Sequence, residues 1–218
     1  ETEIIEEEDW ANSWKRFYKP FRLGCFVIKP SWEPYSAEED EKIIELDPGM
    51  AFGTGQHATT ALCLGAVEDY VRPGDTVIDA GTGSGILTLA AHLIGATEIH
   101  AFDCDTVAVK TANQNFEAHG MDVRAERAFD AGHISVQADV VLANIIASVI
   151  LYMADSLAEK TKPGGVLAAS GIIMSRDREV FEALTARGFE MLEKRTQKEW
   201  VCYIMKKKLS QGALNDDR

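Results

Sequence analysis

The chain has 218 residues, 46% of them apolar, and carries 35 acidic against 22 basic side chains for a net charge of −13. That length accommodates one full domain plus an appendage, and the apolar fraction is that of an ordinary globular core. The acidity argues against direct binding of a nucleic-acid backbone, and no run of about 18 or more apolar residues marks a membrane span.

The opening Glu1-Thr2-Glu3-Ile4-Ile5-Glu6-Glu7-Glu8-Asp9 has neither the basic start nor the apolar centre of a signal peptide and reads as soluble, and the scattered cysteines suit a reducing cytoplasm, so a cytoplasmic location is expected. Residues 1–50 concentrate the aromatics Trp10, Trp14, Tyr18, Phe21, Trp32 and Tyr35, with Pro20, Pro30 and Pro34 interrupting any regular pattern. A short helix near Asp9 to Tyr18 and a strand around Leu23 to Lys29 are predicted there. The segment is too small for a domain, and its aromatics are expected to pack on the main domain. Residues 51–208 are expected to form that functional domain and residues 209–218 a disordered tail.

From Thr60 helices and strands alternate. A helix is predicted over Thr60 to Tyr70, and Pro73-Gly74-Asp75 then turns into the strand Thr76 to Ala80. Ile86 to Ile94 reads as a helix stopped by Gly95, and Glu98 to Asp103 as a strand ending in acid. Thr106 to His119 is a helix and Val123 to Arg127 a short strand. Ala138 to Asn144 is a continuous apolar strand of the buried parallel kind. A helix over Ser148 to Lys160, a strand over Val166 to Ser170 and a helix over Arg176 to Arg187 come next. Phe189 to Arg195 and Trp200 to Lys206 close the chain as an antiparallel hairpin. Repeated βα units ending in a hairpin predict an α/β fold: a mostly parallel sheet with one antiparallel edge strand and helices on both faces.

Cys25, Cys63, Cys104 and Cys202 are far apart and the five histidines show no metal-ligand spacing, so neither a disulfide framework nor a metal site is expected. The acidic surface either attracts a basic partner or serves solubility alone.

Two glycine loops stand out. Gly81-Thr82-Gly83-Ser84-Gly85 follows the strand Thr76 to Ala80, where a doubly wound domain holds a nucleoside-containing cofactor. Gly81 and Gly83 would let the main chain approach a ligand, and Gly85 would let the helix start against the strand. Asp103, 22 residues after Gly81, can accept both hydroxyls of a ribose or cap the next helix, although Asp105 and Thr106 are better placed to cap. Asn144 ends a parallel strand on the same carboxyl edge, as a ligand-orienting amide or a plain turn former. The first loop, Gly53-Thr54-Gly55, answers to no general rule of nucleotide-binding folds.

The stretch Val77 to Gly85, Asp103 and the terminal hairpin together resemble the class I S-adenosylmethionine-dependent methyltransferases. Asp47-Pro48-Gly49-Met50-Ala51-Phe52-Gly53-Thr54-Gly55-Gln56-His57-Ala58-Thr59-Thr60 is closely similar to one family among them, PrmA, the methyltransferases of ribosomal large-subunit protein eleven. Ala143-Asn144-Ile145-Ile146-Ala147, Ser170-Gly171-Ile172-Ile173 and Lys198-Glu199-Trp200 share that resemblance. It implies a seven-stranded Rossmann-like sheet and methylation of lysine ε-amines, and of the α-amine, on a basic ribosomal protein. It implies S-adenosylmethionine as cofactor, contacted by Thr60, Gly81, Gly83, Asp103 and Asn144, with Phe52, Gly53, Thr54 and Gly55 over its methionine end. Asn144 would orient the acceptor amine, and His57 would relay its proton or serve its loop structurally. Thr82 stands where the family usually has Cys. The resemblance also implies an N-terminal substrate-recognition domain; residues 1–50 are expected to be the linker helix and short strand that follow it, the sequence being either a fragment or a short variant that captures its target differently. A monomer with no nucleic-acid or membrane partner is expected. A nicotinamide-dependent dehydrogenase lacks support because the loop is G-x-G-x-G and not G-x-G-x-x-G. A non-catalytic ribosomal-protein-binding module is the alternative of a different class.

Overall fold

A computed structural model of the chain describes residue 15 and residues 18–47 and 55–209. Three short strands come first: β1 (Phe21–Leu23), β2 (Phe26–Lys29) and β3 (Lys42–Glu45). The single strand expected around Leu23 to Lys29 is therefore a hairpin, turning at Gly24 with φ of 58°, and β3 adds to it in parallel. Four-residue β3 has too short a pattern to be read as a strand alone; it is held by its pairing with β2. Phe26, Ile28 and Ile44 carry this small sheet into the main core. The expected packing of the aromatics holds only in part: Phe21 packs on the core, whereas Tyr35 is exposed and hydrogen-bonds Glu41. Trp32 donates from Nε1 to the Lys15 carbonyl. Trp10, Trp14 and most of the expected helix near Asp9 to Tyr18 lie outside the described residues, as does the tail from residue 210.

The second sheet is built from β4 (Thr76–Ala80), β5 (Glu98–Asp103), β6 (Ala125–Arg127), β7 (Ala138–Asn144), β8 (Thr161–Ile173), β9 (Phe189–Gln197) and β10 (Trp200–Lys207). Between them run α1 (Ala58–Tyr70), α2 (Ile86–Ile94), α3 (Thr106–Ala118), α4 (Ala147–Lys160) and α5 (Asp177–Ala186). The strand order is β6-β5-β4-β7-β8-β10-β9. The antiparallel strand is β10, inserted between β8 and β9, and not the edge strand as expected. Burial explains the order. Val201 to Met205 of β10 are almost wholly buried and need a neighbour on each side, while Glu190, Glu193, Lys194 and Arg195 suit β9 to an edge.

Along the parallel strands alternate residues divide between two cores. Val77, Val140 and Ala168 face α1, α2 and α3, while Ile78, Val141 and Leu167 face α4 and α5. Strand β8 is longer than expected because Pro163-Gly164-Gly165 does not end it. The ladder slips there, from Ala138 opposite Thr161 to Val140 opposite Val166, and such a bulge accommodates a residue without an N–H. Asp139 fastens the bulge, accepting from Lys162 Nζ at 2.8 Å and from the Thr76 N–H at 2.9 Å. At the head of α2, the close neighbour of Gly85 is Phe116 of α3 and not the strand: a Cβ there would stand 2.4 Å from its ring.

Candidate active site

The sheet changes winding direction between β4 and β7, since β5 and β6 lie on one side of β4 and β8 lies beyond β7. Loops leaving the carboxyl ends diverge at such a point and open a crevice. A cavity of about 370 Å³ occupies it, lined by Gly81 and Gly83 after β4, Asp103 on β5, Asn144 on β7, Gly171 on β8 and Trp200 on β10.

Ile145 forms the wedge beneath it. A Cβ on Gly81 would stand 2.3 Å from Ile145 Cγ2, and one on Gly171 would stand 2.4 Å from the Ile145 carbonyl oxygen. Both glycines have positive φ, at 74° and 82°, so neither position admits a side chain. The Ile145 N–H donates to the Ser170 carbonyl at 3.1 Å, tying the ends of β7 and β8 together.

Asp103 takes the Gly83 N–H on Oδ2 and the Asp105 N–H on Oδ1, each at 3.0 Å. The carboxylate is thereby fixed against the glycine loop with lone pairs remaining for a ligand. Capping of α3 falls to Asp105, which accepts from the Val107 N–H at 2.8 Å. Deeper, Asp79 is fully buried at the strand end and accepts on one oxygen, Oδ2, from the Thr82 and Thr88 hydroxyls, both at 2.8 Å. Burial pushes its carboxyl up to about 6, the two hydroxyls opposing this and the nearby Asp103 adding to it. Thr82 is thus a support of the loop from below.

Asn144 lines the cavity and donates from Nδ2 to Thr60 Oγ1 at 3.3 Å. Its Oδ1 is buried and has no hydrogen-bond partner among the described residues. A buried carbonyl oxygen left unpaired costs about 1–3 kcal/mol, a cost that a ligand N–H would remove. Thr60 itself is fully buried behind Asn144 and does not line the cavity; Thr59 does. His57 caps α1, its Nδ1 accepting from the Thr59 N–H at 3.3 Å and lying 2.8 Å from the Thr59 hydroxyl. Its ring meets Trp200 edge-on with centroids 5.0 Å apart. Gly55 packs against Phe21, Ile28 and Ile86 and does not line the cavity, while Phe52, Gly53 and Thr54 lie outside the described residues.

With this arrangement in view, the chain's likeness to known proteins is specific. The sequence pattern of the family described as Ribosomal protein L11 methyltransferase (PrmA) matches residues 1–208. The chain belongs to that family. It is 47% identical over 208 residues to the ribosomal protein L11 methyltransferase of an Exiguobacterium species, covering 93% of this chain and 66% of that protein. The one from Pelotomaculum thermopropionicum is 49% identical over 203 residues, covering 92% of this chain and 66% of that protein. The chain thus spans about two thirds of the length of these curated relatives. A crystal structure of the ribosomal protein L11 methylase of Lactobacillus delbrueckii subsp. bulgaricus superposes with a TM-score of 0.82 at 31% identity, covering 88% of this chain and all of that one. A Thermus thermophilus 16S rRNA methyltransferase in complex with AdoMet and guanosine shares the fold, with a TM-score of 0.61 at 21% identity over 72% of this chain and 45% of that chain.

Of the family positions expected to contact cofactor, the cavity brings together Gly81, Gly83, Asp103 and Asn144, with His57 at its side. Sequence reasoning did not assign its apolar wall, which includes Phe102, Phe129, Ile146 and Trp200. Phe129 and Ile146 lie in loops, where no periodicity marks an apolar residue as facing a cavity. Trp200 carried a signal, since it stands in a motif shared with the family, but its role depends on the turn before it. Lys198 has a φ of 54°, rare for a residue other than glycine, and the Glu199 carbonyl accepts from the Met174 N–H at 2.9 Å. Those two constraints set Trp200 at the cavity.

Proposed function

We propose that the chain is an S-adenosylmethionine-dependent N-methyltransferase that modifies lysine ε-amines, and the N-terminal α-amine, of ribosomal protein L11. The observation that carries this reading is the Asn144 Oδ1, without a partner among the described residues, in a cavity at the switch point of the sheet. Family membership and the names of the relatives support the substrate. The residues present suit the cofactor. Asp103 would hold the ribose hydroxyls, the backbone of Gly81 and Gly83 can approach the methionine portion, and Phe102 and Phe129 offer apolar surface to the adenine. S-Adenosylmethionine, when bound, supplies a methyl group already activated on a sulfonium.

The chain's own residues must then hold a neutral amine in line and keep water out. An amine among apolar walls loses its proton more readily than in water, because burial disfavours the ammonium. Asn144 Oδ1 can accept an N–H of that amine, which aims the amine's lone pair while Thr60 keeps the amide from turning. His57 spends its Nδ1 lone pair on the α1 cap, so carrying a proton at that atom would release the cap. A relay through Nδ1 is therefore disfavoured, whereas release of the proton to solvent leaves the cap intact. Action on a ribosomal protein calls for a cytoplasmic location, and a monomer contains every residue named.

Calorimetry should give one saturable site for S-adenosylmethionine and none for NAD. Cys104 is exposed and lines the cavity, so its alkylation should slow when the cofactor is present. Mass spectrometry of ribosomal protein L11 after incubation should show added methyl groups. An unmodified protein beside good cofactor binding would sink the substrate assignment, and absent cofactor binding would sink the enzyme class.

A further inference from the structure

Exposed apolar side chains gather around the mouth of the cavity. Phe129, Ile146 and Val149 line it, yet stand 64%, 61% and 37% exposed. Tyr152 continues this surface along α4, one turn beyond Val149, and is 69% exposed without lining the cavity. Beside the cavity-lining Trp200, Ile173 is paired with it in the β8–β10 ladder, and Met174 is tied by its N–H to the Glu199 carbonyl; both side chains are exposed. Apolar residues scattered singly on a surface need no explanation, but a collar of them beside one cavity marks a place of contact.

We propose that this collar is the docking surface for the protein acceptor and receives the apolar side chains that flank the reacting amine. The inference rests on the methyl-transfer reading, since that reading requires a protein segment to reach the cavity. Two observations select this occupant. The collar is continuous with the cavity wall through Phe129, Ile146 and Val149, while Tyr152 lies outside the cavity, where a small ligand enclosed in it has no use for that side chain. The net charge of −13 repels a second copy of the chain and attracts a lysine-bearing segment.

The test is the affinity for ribosomal protein L11, measured calorimetrically with S-adenosylhomocysteine present so that no turnover intervenes. The double variant Tyr152→Ser, Met174→Ser changes exposed positions and should fold as the parent does. It is expected to bind the acceptor about tenfold more weakly, about 1.4 kcal/mol, with S-adenosylhomocysteine affinity within about twofold of the parent. Tyr152→Phe keeps the apolar ring and should bind like the parent. An acceptor affinity within about twofold in the double variant, an equal loss for both ligands, or no acceptor binding by the parent would each overturn the proposal. Methylation is read separately: binding that depends on Tyr152 and Met174 without any methylation would refute the enzymatic reading and leave the docking surface standing.

Discussion

Asn144 donates to Thr60 through its amide nitrogen, and its carbonyl oxygen at the cavity has no partner among the described residues, so substitution can separate the two halves of this side chain. Asn144→Ala removes the acceptor and is expected to lower kcat about a hundredfold, the order seen when a positioning or proton-handling group is lost. Thr60→Val only frees the amide to turn, and a loss of about tenfold is expected, equivalent to about 1.4 kcal/mol. Wild-type turnover in Asn144→Ala would remove the amide from the mechanism. Asp79 offers a stability test. Its carboxyl sits above its unfolded value, at about 6 against 3.8, so the folded chain binds that proton more tightly than the unfolded one. Its contribution therefore falls as pH rises through the window from about 4 to about 6, by about 3 kcal/mol in all. Asp79→Asn cannot ionise. Measured by urea denaturation, its stability relative to the parent should improve steadily across that window, and a difference independent of pH would show that Asp79 does not titrate there.

The elements that hold these residues were legible to different degrees. Strands β4, β5 and β7 and helix α2 fall where patterning predicts, because each is a largely apolar stretch that ends at or just before Gly, Asp or Asn. The length of β8 was not legible, since Pro163-Gly164-Gly165 reads as a turn and only the fastening by Asp139 keeps it in the ladder. The junction of β7 and β8 is the element-level constraint on the site, with the Gly171 backbone packed against that of Ile145. Gly171→Ala would place a Cβ 2.4 Å from a backbone oxygen that cannot swing aside, in a residue whose φ is already positive. A stability loss of about 2–3 kcal/mol in denaturant titration is expected. Catalysis should fall as well, because Asn144 is the residue before Ile145. A change under about 0.5 kcal/mol, the range of an unconstrained surface site, would mean that the junction yields easily.

For the molecule as a whole, the acidity that the composition shows becomes a kinetic property. With a net charge of −13, association with a basic acceptor should be steered by the field of the chain, and stopped-flow rates should fall steeply with salt. Dissociation from the apolar collar should change little over the same range. A salt-insensitive association rate would assign the acidity to solubility alone.

The sequence by itself determined the α/β class, the parallel sheet, the glycine loop with Asp103 at the end of the next strand, and the family, because each is written in local pattern or in a contiguous motif. Tertiary structure alone decided which of those residues meet. Asn144 and Thr60 are 84 positions apart, and their hydrogen bond exists only because the carboxyl end of β7 lies beside the start of α1. Tertiary packing also inserted β10 inside the sheet, which brought Trp200 to the cavity, and set Phe129 and Ile146, from separate loops, on the wall of that same cavity. Such contacts depend on how distant segments pack in three dimensions, and no spacing along the chain encodes them.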